Sequence, residues 1–299
     1  MKNIPTEMTP EQCVAHSSFL SELFILDDGR VNIPYFEIDV VLGCNLRCYY
    51  CTHLSPYRKG FVPTEKILHW FETWNKKIRP NKMQLLGGEP LLHPDLATVV
   101  LESRKIWNDS TLGLVTNGLL IHQAPQNILD ALREAKFYVG ISDHSGADLP
   151  RDKVISGVAR LKENGVPYQL WPSNDSWYVQ HRWNENNVPI PYQSPVCDAW
   201  SICLSKHHPS LANNQLYKCA ILASMIEGVK EGSLSPLLWK DAVTYRPLSP
   251  DVDANTILEH FRTNEIRECS ICPDRVYITE MKQMHSCRNT SLKLDMTTA

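Results

Sequence analysis

Apolar positions recur along residues 35–171 with two alternating periods. Short apolar runs of strand length are separated by segments in which apolar side chains return every three or four residues, as on one face of a helix. The predicted strands are 35–42, 83–86, 111–116, 137–142 and 166–171. The predicted helices between them carry Ile67, Phe71, Trp74 and Ile78; Leu96, Val99 and Val100; Ile128, Leu132 and Ala135; and Val154, Val158 and Leu161. This alternation predicts an α/β fold with a parallel sheet.

Four polar or glycine-rich segments each follow a predicted strand. They are the cysteine-containing segment 43–51, Gly87-Gly88-Glu89-Pro90, Thr116-Asn117-Gly118 and Ser142-Asp143. The carboxyl ends of parallel strands meet at one edge of a sheet, where ligands usually bind. We therefore expect these four segments to lie together.

The periodic pattern ends after Trp171. Residues 172–196 are rich in Pro, Asn, Gln and Tyr and predict a long loop on the substrate side. The remaining chain predicts a hairpin around Asn213-Asn214 and a helix over about 255–261, and a short helix is predicted at 10–23. We divide the chain into an arm, 1–34, an α/β domain, 35–190, and a small α+β domain, 191–299.

Composition narrows the classes of function. The 299 residues carry a formal net charge of -3, without a basic run of the kind that binds nucleic acid. The segment 1–12 has no apolar region typical of a signal peptide, and the apolar runs are too short to span a membrane. We expect a cytoplasmic protein that binds neither nucleic acid nor membrane. Ten cysteines are many for that compartment and favour metal ligation over disulfides.

Cys44, Cys48 and Cys51 lie within eight residues, directly after the first predicted strand. Each iron of a [4Fe–4S] cluster takes one ligand from the protein, so three thiolates on one loop leave one iron open for a substrate or cofactor. Zinc is the alternative, but it would need a fourth ligand, such as His53.

The Cys-x3-Cys-x2-Cys spacing, followed by Gly-Gly-Glu and Thr-Asn-Gly, resembles the signature of the radical S-adenosylmethionine (SAM) superfamily. The resemblance implies a partial (β/α)6 barrel and a [4Fe–4S] cluster that binds SAM and cleaves it to a 5′-deoxyadenosyl radical. It also implies an external one-electron donor, such as flavodoxin or ferredoxin. The residues that it implies around SAM are Tyr50, Gly87, Gly88, Glu89, Thr116, Asn117, Ser142 and Asp143.

A second cysteine set lies in the C-terminal part of the chain. Its members, Cys203, Cys219, Cys269 and Cys272, resemble the twitch extension, a shortened SPASM domain that holds an auxiliary [4Fe–4S] cluster. Cys197 competes with Cys203 as the first ligand, and a structural zinc site with four thiolates is the alternative. Cys197 and Cys287 are also candidate hydrogen-atom donors to a substrate radical.

These features together predict a radical SAM oxidoreductase or isomerase with two [4Fe–4S] clusters and SAM. The expected substrate is a small polar metabolite, similar to a sugar or an aminocyclitol, which undergoes dehydrogenation or epimerisation in natural-product biosynthesis. One alternative is crosslinking or epimerisation of a ribosomally made peptide. The other is a non-catalytic iron–sulfur or zinc module.

Overall fold

The computed structural model describes residues 18–144, 150–172 and 176–280. The strands are β1 Phe24–Ile25, β2 Val31–Val41, β3 Ile78–Gly87, β4 Thr111–Thr116, β5 Tyr138–Asp143, β6 Tyr168–Pro172, β7 Ser176–Tyr178, β8 Arg182–Trp183, β9 Pro189–Ile190, β10 Ser210–Ala212, β11 Gln215–Tyr217 and β12 Ile278–Glu280. The α-helices with assigned bounds are α1 Thr64–Asn75, α2 Leu96–Ile106, α3 Gln126–Glu134, α4 Arg151–Glu163, α5 Val196–Ser201, α6 Ala220–Lys230 and α7 Ala254–Arg262. Cys13, Cys287 and most of the predicted helix 10–23 lie outside the described residues.

The main sheet is built around five parallel strands in the order β2-β3-β4-β5-β6. Within the described ranges, β2 and β6 do not pair with each other, so the sheet is open. Helices α1 to α4 follow successive strands, as in a series of βαβ units. The predicted α/β fold with a parallel sheet, arranged as a partial radical SAM barrel, is confirmed.

One face of the sheet is apolar and is covered by helices. Phe36, Ile38 and Val40 alternate along β2 and are buried against this layer. The Phe36 ring packs edge-on against Phe71 of α1, with 6.4 Å between ring centroids. Tyr35, Glu37 and Asp39 alternate with these residues and point to the opposite face, because successive strand residues point to opposite sides. The interior of the open barrel therefore has polar side chains along β2.

The boundaries of β2 and α1 differ from those predicted. Strand β2 begins at Val31 rather than at residue 35, because Val31 pairs with Ile78 of β3. Ile78 accordingly lies in a strand and not on the helix face where its spacing placed it. Helix α1 ends at Asn75, and Pro80 follows in β3, where it could not continue a helix.

The C-terminal part joins the same sheet through a hairpin. Strands β10 and β11 pair antiparallel, and Ser210 of β10 pairs with Glu37 of β2. The predicted turn at Asn213 and Asn214 is present, and both residues have the positive φ angles, 48° and 57°, that asparagine tolerates well. A second hydrophobic core forms around α6, and Leu54 of the cysteine loop is buried in it.

Across the described ranges, none of the helices has the length and apolar character needed to cross a membrane.

Candidate active site

The first cysteine set lies on the loop between β2 and α1, at the carboxyl edge of the sheet. Cys44, Cys48 and Cys51 are free thiols of intermediate burial. Burial raises the pKa of Cys44 to about 12, and the negative charges of Glu89 and Cys51 add to this effect. The Leu46 N–H donates to Cys44 Sγ over 3.3 Å. The loop therefore places all three thiols at the same edge of the sheet.

Two glycines hold this loop against β3. The Gly88 N–H donates to Val41 O (2.7 Å), and the Glu89 N–H donates to Gly43 O (3.1 Å). A Cβ atom at Gly87 would collide with Val41 O, and one at Gly88 would collide with Gly43 O. Gly87 also has a φ of 127°, which favours glycine. The Gly-Gly pair thus permits close contact between two backbone segments of the protein itself.

Glu89 connects the ends of β3 and β4 to the cysteine loop. Its carboxylate is fully buried and accepts hydrogen bonds from Thr116 Oγ1 (2.7 Å) and the Asn117 N–H (3.0 Å). Burial raises the pKa of Glu89 to about 7, although these hydrogen bonds oppose the shift. The Asn117 side chain then donates to Asn45 Oδ1 over 2.8 Å. Glu89 thereby orients the polar groups beside Cys44.

A second polar network lies behind Cys51. His53 Nδ1 is 2.9 Å from Asp39 Oδ1, and Arg58 contacts the other oxygen of Asp39 at 3.4 Å. Burial acts to lower the pKa of His53, but the Asp39 carboxylate outweighs burial and raises that pKa to about 10. Arg58 also forms two hydrogen bonds with Glu231, of 2.8 and 2.9 Å. The network links the first cysteine loop to the residue that follows α6.

Aromatic side chains cover the cysteine loop. Tyr49 stacks on Trp183, with 4.3 Å between ring centroids, and Tyr50 lies 5.4 Å from His181. His181 is 1% exposed, and burial lowers its pKa to about 4. The segment that sequence analysis treated as a loop without periodicity therefore supplies an aromatic cover through β8 and its neighbours.

The polar interior of the barrel contains a buried carboxylate that the motifs did not indicate. The Tyr35 hydroxyl lies 2.5 Å from Glu37 Oε2 and 2.6 Å from Gln84 Oε1, and the Gln84 amide donates to the Tyr138 hydroxyl. Burial raises the pKa of Glu37. Glu37 is a charged residue within a largely apolar predicted strand, and this feature of the sequence could have indicated a buried polar site.

The second cysteine set lines one cavity. Cys203, Cys219, Cys269 and Cys272 all lie at its surface. Burial raises the pKa of Cys203 to about 11 and that of Cys272 well above its ordinary value, and the neighbouring thiolates reinforce the shift of Cys272. The structure therefore groups Cys203 with the other three cysteines.

Cys197 is not part of this group. It is exposed, and its thiol donates to Glu265 Oε1 over 3.8 Å. The other candidate hydrogen donor, Cys287, lies outside the described residues. Ser142 and Asp143 are the last two residues of β5 and are half-buried at its carboxyl end.

Both thiol sets suit iron–sulfur clusters in their donor chemistry. A loop with three thiolates leaves one iron of a cubane without a protein ligand, whereas four thiolates complete one. In the described part of the chain, no three His, Cys, Asp or Glu side chains are arranged to hold a single metal ion. In a [4Fe–4S] cubane, each thiolate binds a different iron atom. The absence of a site for a single ion among the described residues therefore does not argue against a cluster. The ligand sets themselves remain predictions.

Several residues near the two cysteine sets belong to no recognised motif. They are Asn45, Asp39, Arg58, Glu231, Lys206 and Lys218. Asp39 could have been noticed as a charged residue in a predicted buried strand. The others come from distant parts of the sequence, and only the fold shows that they meet.

An open parallel sheet with a three-thiol loop at its carboxyl edge agrees with what the resemblance to radical SAM enzymes implies. Residues 38–185 match the family model described as the Radical SAM superfamily. Residues 38–185 thus form a radical SAM domain, and members of that superfamily use a [4Fe–4S] cluster and SAM and need a reductant. The predicted family, with its [4Fe–4S] cluster and SAM, is confirmed, while an auxiliary cluster domain in the C-terminal part remains a prediction.

The relatives cover only part of the chain. The GTP 3′,8-cyclase of Sulfurovum sp. (strain NBC37-1) is 32% identical over 186 residues, which are 56% of this chain and 56% of that protein. Molybdenum cofactor biosynthesis protein 1 of Bos taurus is 34% identical over 149 residues, covering 44% of this chain and 22% of that protein. The chain thus spans about half or less of the length of these curated relatives.

A solved structure of BtrN in complex with AdoMet and 2-DOIA is also similar. It shares 14% identity, has a TM-score of 0.43, and the match covers 81% of this chain and 98% of that one.

The relatives contradict the predicted substrate. Several of them are named GTP 3′,8-cyclase, so the prediction of a sugar- or aminocyclitol-like metabolite is wrong, and so are the peptide and the non-catalytic module. The physical reason is that the cysteine, Gly-Gly-Glu and Thr-Asn-Gly motifs are associated with binding of the cluster and SAM. These motifs contain no residue that determines which substrate binds.

Proposed function

We propose that this protein is a radical SAM enzyme whose SAM-binding cluster is held by Cys44, Cys48 and Cys51. When bound, the cluster supplies one electron to SAM and so yields a 5′-deoxyadenosyl radical. The observation that carries the proposal is the position of these thiols at the carboxyl edge of the sheet, beside the Glu89 network. An external one-electron donor, such as flavodoxin or ferredoxin, would provide the electron.

The surrounding residues have distinct roles in this proposal. Glu89 holds Thr116 and the Asn117 backbone, and Asn117 donates to Asn45 within the cysteine loop. Gly87, Gly88, Ser142 and Asp143 line the same edge and are proposed to contact SAM. The aromatic cover, which includes Tyr50, Trp183 and His181, limits the access of water to the loop.

We further propose that the substrate is GTP or a closely related guanine nucleotide, and that the reaction forms a bond within it. The support is the activity for which several relatives are named, GTP 3′,8-cyclase, and one of these relatives is 32% identical over 186 residues. In such a reaction the hydrogen atom at the ribose C3′ would pass to the 5′-deoxyadenosyl group, giving 5′-deoxyadenosine, and C3′ would bond to C8 of the base. One electron from the external donor and one proton would then replace the lost hydrogen atom, so that the product is an isomer of GTP. The chain would then act as an isomerase of nucleotides rather than as a dehydrogenase.

The proposal is tested with GTP deuterated at C3′. The protein, reconstituted without oxygen, is incubated with SAM, dithionite and this nucleotide, and the products are analysed by mass spectrometry. We expect deuterium in 5′-deoxyadenosine together with a new guanine-derived product. ATP deuterated at the same position is the matched control, and it should give much less of both.

Two negative results would contradict different parts of the proposal. Unlabelled 5′-deoxyadenosine without a new nucleotide would contradict GTP as substrate and leave SAM cleavage intact. No 5′-deoxyadenosine from protein that contains its iron would contradict the radical SAM activity itself.

A further inference from the structure

Two lysines lie deep in the C-terminal part, next to the second cysteine set. Lys206 is 8% exposed and Lys218 is 4% exposed. Both line the cavity that contains Cys203, Cys219, Cys269 and Cys272. Lysine is rarely buried to this extent unless its charge is balanced. Their burial beside four thiols therefore requires an explanation.

The two ammonium groups are held in fixed positions. Lys218 Nζ donates to the carbonyl oxygens of His260 (2.8 Å) and Thr263 (2.5 Å), at the end of α7. Lys206 Nζ donates to Ser201 O over 3.0 Å. Both groups also face the ring of Trp200, at 4.9 Å for Lys206 and 5.7 Å for Lys218. These contacts orient the positive charges.

Lys206 and Lys218 are the cationic side chains among the described residues that line this cavity. Lys218 directly precedes Cys219 in the chain. Glu268 is the acidic residue on the same cavity, and it accepts a hydrogen bond from Thr244 over 2.8 Å. The two cations outnumber this carboxylate.

A cluster with four thiolate ligands carries a net negative charge, and its one-electron reduction adds another. Fixed positive charges nearby stabilise the reduced form more than the oxidised form, particularly where water is excluded. The potential of an iron–sulfur cluster depends on just such surrounding charge. Two buried ammonium groups would therefore make the second cluster a better electron acceptor.

We propose that Lys206 and Lys218 balance the charge of the cluster bound by the second cysteine set and raise its reduction potential. This inference depends on the proposed second cluster, and it does not depend on the identity of the substrate. The lysines act through the cluster and are positioning residues. Charge is the property that matters, so arginine should replace either lysine better than methionine does.

The test is a redox titration of the second cluster alone. In the full-length chain, Cys44, Cys48 and Cys51 are replaced by alanine, the remaining cluster is reconstituted, and dithionite supplies one electron per cluster. The EPR signal of the reduced form is followed against the applied potential. Lys206→Met and Lys218→Met are compared with Lys206→Arg and Lys218→Arg. Lys240→Met, at an exposed lysine of the same region, is the matched control.

We expect each methionine variant to make one-electron reduction about tenfold less favourable, which corresponds to about 59 mV. The arginine variants and Lys240→Met should remain near the parent potential. Loss of iron in the methionine variants but not in the arginine variants would also support a role for charge. Unchanged potentials with iron retained would overturn the inference, as would equal iron loss with arginine and methionine.

A parent chain that holds no second cluster would overturn the inference together with the cluster on which it depends. Iron counting on the parent separates that outcome from a failure of the lysines to influence the potential.

Discussion

His181 shows how one buried side chain makes stability depend on pH. It packs 5.4 Å from the Tyr50 ring and 5.3 Å from that of Trp183. Its pKa falls from 6.5 to about 4 on folding, so the unfolded chain binds the proton more readily in that interval. The folded state is therefore stabilised above pH 6.5 and loses this stabilisation as the pH falls towards 4.

We predict that His181→Phe flattens this pH dependence. The difference in unfolding free energy between wild type and variant should change by up to about 3 kcal/mol between neutral pH and pH 4, in favour of the variant at low pH. Urea denaturation across that range measures it. His260, whose pKa is also lowered to about 4, is present in both proteins and cancels. Parallel curves for the two proteins would refute the prediction.

Individual residues were predictable where chemistry and spacing coincide. Cys44, Cys48 and Cys51 follow from their spacing, and the structure places Cys44 beside Glu89 and Asn117. The sequence could not show whether Cys197 or Cys203 is the first ligand of the second cysteine set, because the two residues lie close together in the chain. The structure separates them by burial, since Cys203 lies in the four-thiol cavity and Cys197 is exposed.

The turn between β3 and α2 shows what holds the cysteine loop in place. Gly88 contacts Gly43 so closely that a side chain cannot be inserted between the two backbones. We predict that Gly88→Ala displaces the loop, lowers the unfolding free energy by about 1–3 kcal/mol and reduces the iron bound by the first cysteine set. Iron analysis after reconstitution and urea denaturation measure both effects.

Gly43→Ala is the matched control for that variant. A Cβ atom there would have its nearest neighbour, Arg58 O, at 3.8 Å, which is an ordinary contact. The Gly43→Ala variant should bind as much iron as the wild type. If Gly88→Ala resembled Gly43→Ala in both measurements, the contact would have no role in placing the loop.

Elements were predictable from periodicity along most of the parallel sheet. The five parallel strands appear in the predicted order, since each combines an apolar face with a turn after it. The short strands β7, β8 and β9 were missed, because two or three residues give no measurable alternation. The pairing of β10 with β2 was also unpredictable, since it joins residues far apart in the sequence.

At the scale of the whole molecule, Arg58 ties the cysteine loop to the C-terminal part. Its side chain is 4% exposed and lies between Asp39 and Glu231. Removing one partner from a buried ion pair leaves the other charge without compensation. We predict that Arg58→Met lowers the unfolding free energy by about 3 kcal/mol, as measured by urea denaturation.

A double-mutant cycle with Glu231→Gln identifies the source of that loss. The two changes should be non-additive by about 1 kcal/mol or more if the pair itself is responsible. Lys105→Met removes an exposed ion pair with Glu102 and should have almost no effect. Additive losses in the cycle would attribute the effect of Arg58 to packing instead.

The most direct test of the account is the formation of 5′-deoxyadenosine by protein with defined iron content. Wild-type protein, reconstituted without oxygen, should bind about eight irons per chain and cleave SAM when dithionite is added. Cys51→Ala should lose the irons of the first cluster and form no 5′-deoxyadenosine. If the wild type bound zinc at these thiols, or if Cys51→Ala cleaved SAM at the wild-type rate, the central claim would be contradicted.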